Sequence, residues 1–422
     1  MSHFHTIVLG LGALGSAALH HLARSGHRVL GMDRYAPPHP YGSTHGDTRI
    51  TRLAIGEGPE YTPLALRSHE LWRDVERATG TRLLTSCGGL IISHPGQTAV
   101  SHGVPGFFEN TLAAARQHGI EHEVLDAREI RRRFPQFDVQ PHEVGYFEPE
   151  AGFLLVEECV RAQLDLARRS GAELLLDVKV EEFGSFAGGV RVTSSRGAYS
   201  ADNLLVTAGP WLPELLGEPY RELFRVTRQV LHWFEITSAP EMFAPGRCPV
   251  FIWELPDDRP QGIYGFPSVG FAGPAASIKI ATEQSVVAVA PDDVDRSVTA
   301  GEIAAMHADY VAPYLPGVGP RSLRTAVCMY TEAPGGRFVV DTHPEHERVI
   351  FASACSGHGF KHSAALGEAL AERLVRGESR IDLTPFTLPR LREQTAGMSP
   401  EQRSACEAVM ARCRDRRDAP AG

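Results

Sequence analysis

A strand, a glycine-rich turn, a helix and a second strand follow one another within the first 33 residues. Residues 4–9 are rich in strand-forming side chains, and residues 16–25 are rich in the helix formers Ala and Leu. Gly26 ends the helical run in the manner of a C-cap, and residues 28–32 form a second short strand-like run. This order predicts a βαβ unit and therefore an α/β fold.

The turn after the first strand carries Gly10, Gly12 and Gly15 in the pattern Gly-x-Gly-x-x-Gly, and Asp33 follows the second strand. The first glycine permits a tight turn, the second lets the backbone approach a pyrophosphate, and the third lets helix and strand pack closely. An acidic residue at the position of Asp33 can accept hydrogen bonds from a ribose. The spacing predicts a dinucleotide site and leaves NAD and FAD both open. The alternative is a glycine-rich turn in an unrelated α/β protein.

A later apolar run favours FAD over NAD. Residues 203–207 are strand-like, and the small residues Ala208 and Gly209 follow them before Trp211. This arrangement resembles the second contact with the nucleotide in flavoproteins of the glutathione reductase type. The alternative interpretation is a core strand that ends in a turn.

Length and composition narrow the class of protein. A chain of 422 residues predicts two or three domains, and 43% hydrophobic with 22% charged residues is typical of a folded globular protein. The net charge of −9 argues against a non-specific nucleic-acid binder. No apolar run reaches the roughly 20 residues of a membrane span, and the N-terminus lacks the pattern of a signal peptide. We therefore expect a cytoplasmic protein that binds neither nucleic acid nor membranes.

The cysteine and lysine counts add two constraints. The seven cysteines are dispersed without a C-x-x-C pair or zinc-ligand spacing, which indicates a reducing compartment and no metal site. Only three of the 42 cationic residues are lysine, namely Lys179, Lys279 and Lys361. Because arginine is the default cation of this chain, a lysine indicates a position where an ammonium is favoured.

Several longer blocks of sequence resemble the monomeric sarcosine oxidase and N-methyltryptophan oxidase family. The blocks occur in the order of the family, and the resemblance extends from about residue 5 to about residue 390. They are Gly-Ser-Thr-His-Gly-Asp-Thr-Arg-Ile-Thr-Arg at 42–52, Glu-Gly-x-Glu-Tyr-x-Pro-Leu at 57–64, Cys-Met-Tyr-Thr at 328–331, Phe-Val-Val-Asp-x-His-Pro at 338–344 and Ser-Gly-His-Gly-Phe-Lys at 356–361.

The resemblance implies an α/β (α+β) fold similar to that of D-amino-acid oxidase. A Rossmann-like FAD-binding domain is then interleaved with a substrate domain built on a mixed, largely antiparallel sheet. The predicted bounds are 1–85, 141–215 and 325–390 for the FAD-binding domain, 86–140 and 216–324 for the substrate domain, and 391–422 for a C-terminal helical tail. Local patterns predict a long loop or short helical start over 34–63 and a strand over 174–180.

The resemblance also implies that FAD is attached covalently, through a bond between the Cys328 sulfur and the 8α-methyl of the isoalloxazine ring. Such a bond requires a partly ionised thiol beside the ring, and the alternative for Cys328 is a small buried hydrophobe. The turn Gly357-His358-Gly359 resembles the segment at the pyrimidine edge of the flavin, although His358 could equally be structural. Besides Gly10, Gly12, Gly15 and Asp33, the remaining implied cofactor-binding residues are Arg34, Ser43, Thr44, Thr48, Val180, Ala208, Gly209, Trp211, Met329 and Lys361.

The implied chemistry transfers a hydride equivalent from the carbon next to a substrate nitrogen to the flavin. Arg52 and Lys361 match the pair that binds the substrate carboxylate in the family, and a planar guanidinium with a compact ammonium suits that task. Arg49 matches the arginine near the flavin ring. The alternative for Arg49 and Arg52 is an arginine pair on the protein surface.

Reduction of O2 begins with superoxide, an anion whose formation a nearby ammonium favours. The family has a lysine for this task in a strand after a Tyr-Gly-Phe-Pro block. Here that block begins at Tyr264, itself a catalytic candidate, and Lys279 is the lysine that follows. The alternative for Lys279 is a solvated lysine on a strand.

The departures from the family lie on the substrate side. Where the family often has a histidine a little after that lysine, this chain has Glu283, which could meet a substrate cation. The segments 256–263 and 269–277 are also longer than the family pattern. These departures leave the identity of the amine open.

We expect a secondary, cyclic or N-methyl amino acid to be oxidised to an imine while O2 is reduced to H2O2, by a protein that is a monomer. One alternative is a flavin-dependent amino-acid dehydrogenase that passes electrons to a partner, and another is an oxidase of a primary amino acid in a biosynthetic pathway. A non-catalytic cofactor-binding protein and an NAD-dependent dehydrogenase are the remaining alternatives.

Overall fold

The structure is a computed structural model of the chain. It describes residues 3–96, 100–101, 104–255, 262–270, 273, 275–284, 287–393, 399–404 and 406–408. The predicted long segments at 256–263 and 269–277 therefore lie partly outside the described residues.

Strands are distributed along the whole described chain. They are β1 (His3–Leu9), β2 (Val29–Met32), β3 (Thr48–Thr51), β4 (Leu84–Ser86), β5 (Gly89–Ser93), β6 (Val100–Ser101), β7 (Val104–Pro105), β8 (Glu123–Asp126), β9 (Val144–Glu148), β10 (Gly152–Leu155), β11 (Glu173–Leu175), β12 (Val180–Phe186), β13 (Gly189–Ser194), β14 (Gly197–Val206), β15 (Arg225–Ile236), β16 (Val250–Trp253), β17 (Ile263–Gly265), β18 (Ser277–Thr282), β19 (Val318–Glu332), β20 (Val339–His343) and β21 (His346–Ser353).

Helices lie between these strands, and the first of them overlaps the predicted helical run 16–25. They are α1 (Ala13–Arg24), α2 (Thr62–Thr79), α3 (Phe107–His118), α4 (Ala127–Arg133), α5 (Val156–Arg169), α6 (Leu212–Leu216), α7 (Tyr220–Leu223), α8 (Ala300–Met306), α9 (Ser363–Arg376) and α10 (Leu388–Glu393). Among the described residues, no helix combines the length and the apolar composition that crossing a membrane requires.

The first sheet is built on the predicted βαβ unit. Its strands lie in the order β11-β2-β1-β14-β13-β12, and β21 joins β14 and pairs with β20. Strands β2, β14, β11 and β21 are all added in parallel, which is the arrangement of a Rossmann-like sheet. One apolar cluster joins α1, α2, α5 and α9, and a second cluster covers the other face with α6, α7 and α10. The predicted Rossmann-like fold is confirmed.

The second sheet has the order β19-β15-β18-β17-β16-β5-β9-β8. Only the β5–β16 pair within it is parallel, so the sheet is mixed and largely antiparallel as predicted. Its core packs against α4 and α8 through Ile130 and Met306. A small sheet of β3, β10 and β4 lies where the chain passes between the two large sheets.

The domain bounds remain a prediction, and two strands of the second sheet lie wholly or partly in segments predicted for the FAD-binding domain. Both β9 and β19 belong to the second sheet, although β9 falls within the predicted 141–215 segment and β19 extends past 325. In the predicted tail, residues 400–404 are helical and the Ser399 hydroxyl accepts a hydrogen bond from the Gln402 N–H at 3.2 Å. Cys406 is buried in the core beside the first sheet, and the tail from 409 onward lies outside the described residues.

Two local predictions are wrong. The run 174–180 is not one strand, because Asp177 adopts a left-handed φ of 55° and separates β11 from β12. The segment 34–63 contains strand β3, which pairs antiparallel with β10. The short strand was missed because its long-range partner, and not its own pattern, stabilises it.

Candidate active site

The glycine turn is shaped by close backbone contacts. Gly10 has a φ of 87°, and a Cβ there would lie 2.5 Å from the Thr207 carbonyl oxygen. A Cβ on Gly15 would lie 1.8 Å from the Gly10 carbonyl oxygen, so the first turn of α1 packs directly on the turn before it. The Thr207 hydroxyl donates to that same oxygen at 2.7 Å. Both positions therefore require glycine for physical reasons.

Asp33 holds the glycine turn against the end of β2. One carboxylate oxygen accepts a hydrogen bond from the Leu11 N–H at 2.7 Å, and the other accepts one from the Tyr35 N–H at 2.8 Å. A carboxylate has about four acceptor sites, so these bonds leave capacity for ribose hydroxyls. The geometry is compatible with the predicted role of Asp33.

A cavity of about 390 Å³ opens above this turn. Twelve of the predicted cofactor-binding residues line it, and Arg49 does so as well. They are Gly10, Gly12, Asp33, Arg34, Ser43, Thr44, Val180, Ala208, Gly209, Trp211, Gly357 and Gly359. Gly15, Thr48, Cys328, Met329, His358 and Lys361 are not among the described residues that line it.

The lining fits a flavin dinucleotide. The helix α1 begins at the cavity with Gly12 as its N-cap, which has no side chain of its own to cap the helix, and the Ala13 N–H donates to the Thr44 hydroxyl at 3.4 Å. The positive end of the helix dipole faces the cavity and suits a pyrophosphate. The lining also includes Asp33, an acidic residue for a ribose, and the rest of it is predominantly apolar. Together these are the groups that FAD would need.

Arg49 lines this cavity, and Cys328 lies close enough to Arg49 to interact with its charge. The Arg49 guanidinium donates to the Thr48 and Ser43 carbonyl oxygens, each at 2.9 Å. Cys328 lies on β19, opposite Gln229 of β15, and is buried. Burial raises the pKa of the Cys328 thiol, while the positive charge of Arg49 acts to lower it. Arg49 is therefore the main group that favours a thiolate here.

Two tyrosines lie close to Arg49 and Cys328. The hydroxyl oxygens of Tyr264 and Tyr330 are 3.4 Å apart. Burial raises the pKa of Tyr264 and of Tyr330, so both remain neutral hydroxyls at physiological pH. Glu283 raises both pKa values further and also raises that of Lys361, so its charge acts on the same region.

Lys279 projects from β18 of the second sheet and is buried. Its ammonium donates to the Gly46 carbonyl oxygen at 2.9 Å and to the Thr48 carbonyl oxygen at 2.6 Å. The ammonium nitrogen also lies 3.9 Å from the centre of the Phe266 ring. Burial, and then the nearby charge of Arg49, hold the pKa of Lys279 well below its usual value. The alternative of a solvated strand lysine is wrong.

Arg52 and Lys361 converge on one internal carboxylate, that of Glu57. Arg52 Nη2 donates to Glu57 Oε2 at 2.6 Å, and Lys361 Nζ lies 3.3 Å from Glu57 Oε1. Lys361 also donates to the His358 carbonyl oxygen at 2.9 Å. Burial lowers the pKa of Lys361 to about 8, with Glu57 opposing the shift. The alternative of a surface position is wrong for Arg52, which is 4% exposed.

His358 packs within the protein. Its Nε2 lies 2.8 Å from the Gly336 carbonyl oxygen, and its ring stacks on Phe338 with the ring centres 4.7 Å apart. These contacts fix the turn whose neighbours, Gly357 and Gly359, line the cavity.

Sequence reasoning missed two acidic residues of the site. Glu57 begins the 57–64 block and pairs with Arg52, which lies five residues before it. This short spacing between opposite charges is the sequence feature that could have indicated the pair. Glu148 accepts hydrogen bonds from the Leu53 and Ala54 N–H groups at 2.6 and 3.1 Å, and from the Tyr146 hydroxyl at 2.9 Å. Nothing in the local sequence indicates this contact, which holds the backbone just after Arg52.

Comparison with known proteins gives a consistent result. The model of the family described as FAD dependent oxidoreductase matches residues 5–373. A monomeric sarcosine oxidase of Streptomyces avermitilis is 38% identical over 392 residues, covering 92% of this chain and 98% of that protein. An N-methyl-L-tryptophan oxidase of Yersinia pestis is 34% identical over 395 residues, covering 92% of this chain and all of that protein.

Solved structures agree on the fold. An amino acid oxidase essential for nikkomycin biosynthesis superposes with a TM-score of 0.76 at 24% identity, covering 92% of this chain and 98% of that one. An L-proline dehydrogenase from P. horikoshii also has a TM-score of 0.76, at 17% identity, covering 94% and 99% of the two chains. Of the two cofactors that the glycine pattern leaves open, the matched family uses FAD. The chain belongs to the FAD-dependent oxidoreductase family and is related to its sarcosine and N-methyltryptophan oxidases.

Proposed function

We propose that this protein oxidises the C–N bond of an N-methyl, secondary or cyclic amino acid to an imine, with O2 reduced to H2O2. The names of the relatives at 34–38% identity support an N-methyl amino acid as the substrate class. We further propose that FAD is bound covalently through Cys328 and that the protein is a cytoplasmic monomer.

The observation that carries the proposal is the convergence of Arg52 and Lys361 on a single buried carboxylate. Two cations and one carboxylate leave one positive charge in excess, which makes the site attractive to an anion. A substrate carboxylate of the same chemistry as Glu57 can bind both cations in charge-assisted hydrogen bonds. Because Lys361 directly follows two residues that line the cavity, Gly359 and Phe360, the bound amine would lie beside that cavity.

When bound, FAD would accept one hydride, which is two electrons and one proton, from the carbon next to the substrate nitrogen. The chain's own residues position that carbon and exclude water from it. Arg52 and Lys361 hold the carboxylate, while the neutral Tyr264 and Tyr330 hydroxyls add polar contacts that carry no charge. Glu283 acts on the same region and would favour a substrate with a positive charge near its nitrogen.

Lys279 suits the second half of the reaction, in which O2 takes up two electrons and two protons. Burial lowers the pKa of Lys279, and negative charge that forms beside it opposes this shift and favours the ammonium form. The carbonyl oxygens of Gly46 and Thr48 hold its nitrogen in place for that task. This observation favours an oxidase over a dehydrogenase that passes electrons to a partner.

The substrate class is tested with a panel of amines. Sarcosine, N-methyltryptophan, proline and glycine are incubated aerobically with the protein, and peroxide is measured. Dimethylamine, which is sarcosine without its carboxylate, is the matched control, and we expect kcat/KM for it to be at least about 100-fold lower because the cation pair is left unmatched. Equal turnover of sarcosine and dimethylamine would contradict the proposal. Dye reduction without peroxide would indicate a dehydrogenase.

Substitution of Lys279 separates the two half-reactions. In Lys279→Met the ammonium is lost, so we expect flavin reoxidation by O2 to slow by about 100-fold or more. Anaerobic flavin reduction by substrate in the same variant is the internal control and should change far less. Rapid-mixing absorbance measures both rates. Equal slowing of the two half-reactions would mean that Lys279 does not act at the oxygen step.

The covalent link is tested by acid precipitation. We expect a yellow pellet from the unchanged protein, and a colourless pellet with a yellow supernatant from Cys328→Ser, because serine lacks the nucleophilic thiolate. Cys355→Ser is the matched control, since it removes a different thiol, one that lines the cavity, and its pellet should remain yellow. A yellow pellet from Cys328→Ser would locate the linkage elsewhere.

The Lys361 ammonium predicts a pH dependence of carboxylate binding. Its pKa of about 8 means that the charge is present below pH 8 and is lost as the pH rises through that value. We expect the Kd of propionate, which carries no titrating amine, to increase about tenfold above pH 8. Flavin absorbance changes measure the binding. In Lys361→Arg the increase should move to much higher pH, and a flat profile in the unchanged protein would refute the assignment.

A further inference from the structure

The segment 288–299 precedes α8 in the chain and is bonded to two distant parts of the protein. Arg228 of β15 holds it, since its guanidinium donates to the Asp295 carbonyl oxygen at 2.9 Å and to the Ser297 carbonyl oxygen at 2.6 Å. Arg296 of the segment donates to the carbonyl oxygens of Pro40 and Tyr41, at 2.9 and 2.7 Å. The segment is thus attached both to β15 and to the chain between β2 and β3.

Asp292, within this segment, bonds to two residues of the cavity wall. Arg34 Nη1 donates to both of its carboxylate oxygens, at 2.8 and 3.0 Å. The Trp211 indole Nε1–H donates to one of those oxygens at 2.7 Å. Burial favours the neutral acid, but the hydrogen bonds from Trp211 and Arg34 hold the pKa of Asp292 below its usual value.

Asp292 joins two residues, Arg34 and Trp211, that follow different strands of the first sheet. Arg34 follows β2, and Trp211 follows β14; these two strands flank β1, which leads into the glycine turn. Both side chains line the cavity, so the carboxylate joins its two walls above that turn. A ligand that extends along the carboxyl ends of the strands would contact Arg34 and Trp211, which this carboxylate joins.

We propose that Asp292 is a positioning residue of the FAD site, which ties Arg34 and Trp211 across the nucleotide end of the cavity and slows the entry and release of FAD. The inference rests on the proposed occupation of this cavity by FAD. Asp292 itself lies outside the lining of the cavity, so its effect is exerted through Arg34 and Trp211.

The test uses Cys328→Ser protein, in which FAD is exchangeable, and follows FAD release and uptake by flavin fluorescence. We expect Asp292→Asn to release FAD about three- to tenfold faster. This is the size of effect that follows from losing a partly exposed ion pair, with Arg34, and weakening one hydrogen bond, from Trp211. Asp293→Asn is the matched control, because it removes the same charge from the neighbouring exposed residue, and it should release FAD at the parent rate. Salt should accelerate release from the parent and not from Asp292→Asn.

A second variant separates positioning from a general loss of structure. Arg34→Gln should accelerate release as well, and adding Asp292→Asn to it should produce little further change, because both act through one bridge. Additive effects, equal rates for Asp292→Asn and Asp293→Asn, or slower release from Asp292→Asn would overturn the inference. Absence of FAD binding to every variant would instead refute the occupation of the cavity, and with it both proposals.

Discussion

Buried positive charge is the constraint around which the candidate site is organised. Moving an ammonium or guanidinium out of water costs several kcal/mol even after the protein relaxes, so each buried cation needs fixed partners. Lys279 of the second sheet finds them in carbonyl oxygens at the start of β3, and Arg52, just after β3, finds Glu57. The same short stretch of chain, from Gly46 to Glu57, therefore satisfies a buried cation of the second sheet and one of its own.

The charge balance of Arg52, Lys361 and Glu57 bears on two properties of the site, namely its stability before substrate arrives and its proposed affinity for a carboxylate. Glu57 satisfies Arg52 and Lys361 within the folded chain, so the protein is not left with unpaired buried cations before substrate arrives. Against Glu57 alone, Arg52 and Lys361 leave one positive charge over, and the carboxylate of the proposed substrate would gain the interactions that a second acidic partner of this pair would have provided. Glu148 contributes indirectly, because its hydrogen bonds to the Leu53 and Ala54 N–H groups fix the backbone beside Arg52.

The sequence predicts what depends on local pattern and misses what depends on distant contacts. The βαβ unit is recovered within a few residues because glycine, strand and helix signals are all local. Strand β19 was not recognised, since an edge strand paired only with β15 tolerates the arginines and polar residues of 320–325. Asp292 could not be found either, because its partners lie more than 80 residues away along the chain.

The positions of two of the three lysines have a physical explanation, because both side chains are buried. An arginine cannot lose its proton in a protein, whereas a lysine can do so when burial lowers its pKa. Lys279 and Lys361 are both buried, and burial lowers the pKa of each. The neighbouring cations Arg49 and Arg52 are arginines. The chain thus keeps lysine at the two buried positions where protonation can change, while nothing in the structure explains Lys179.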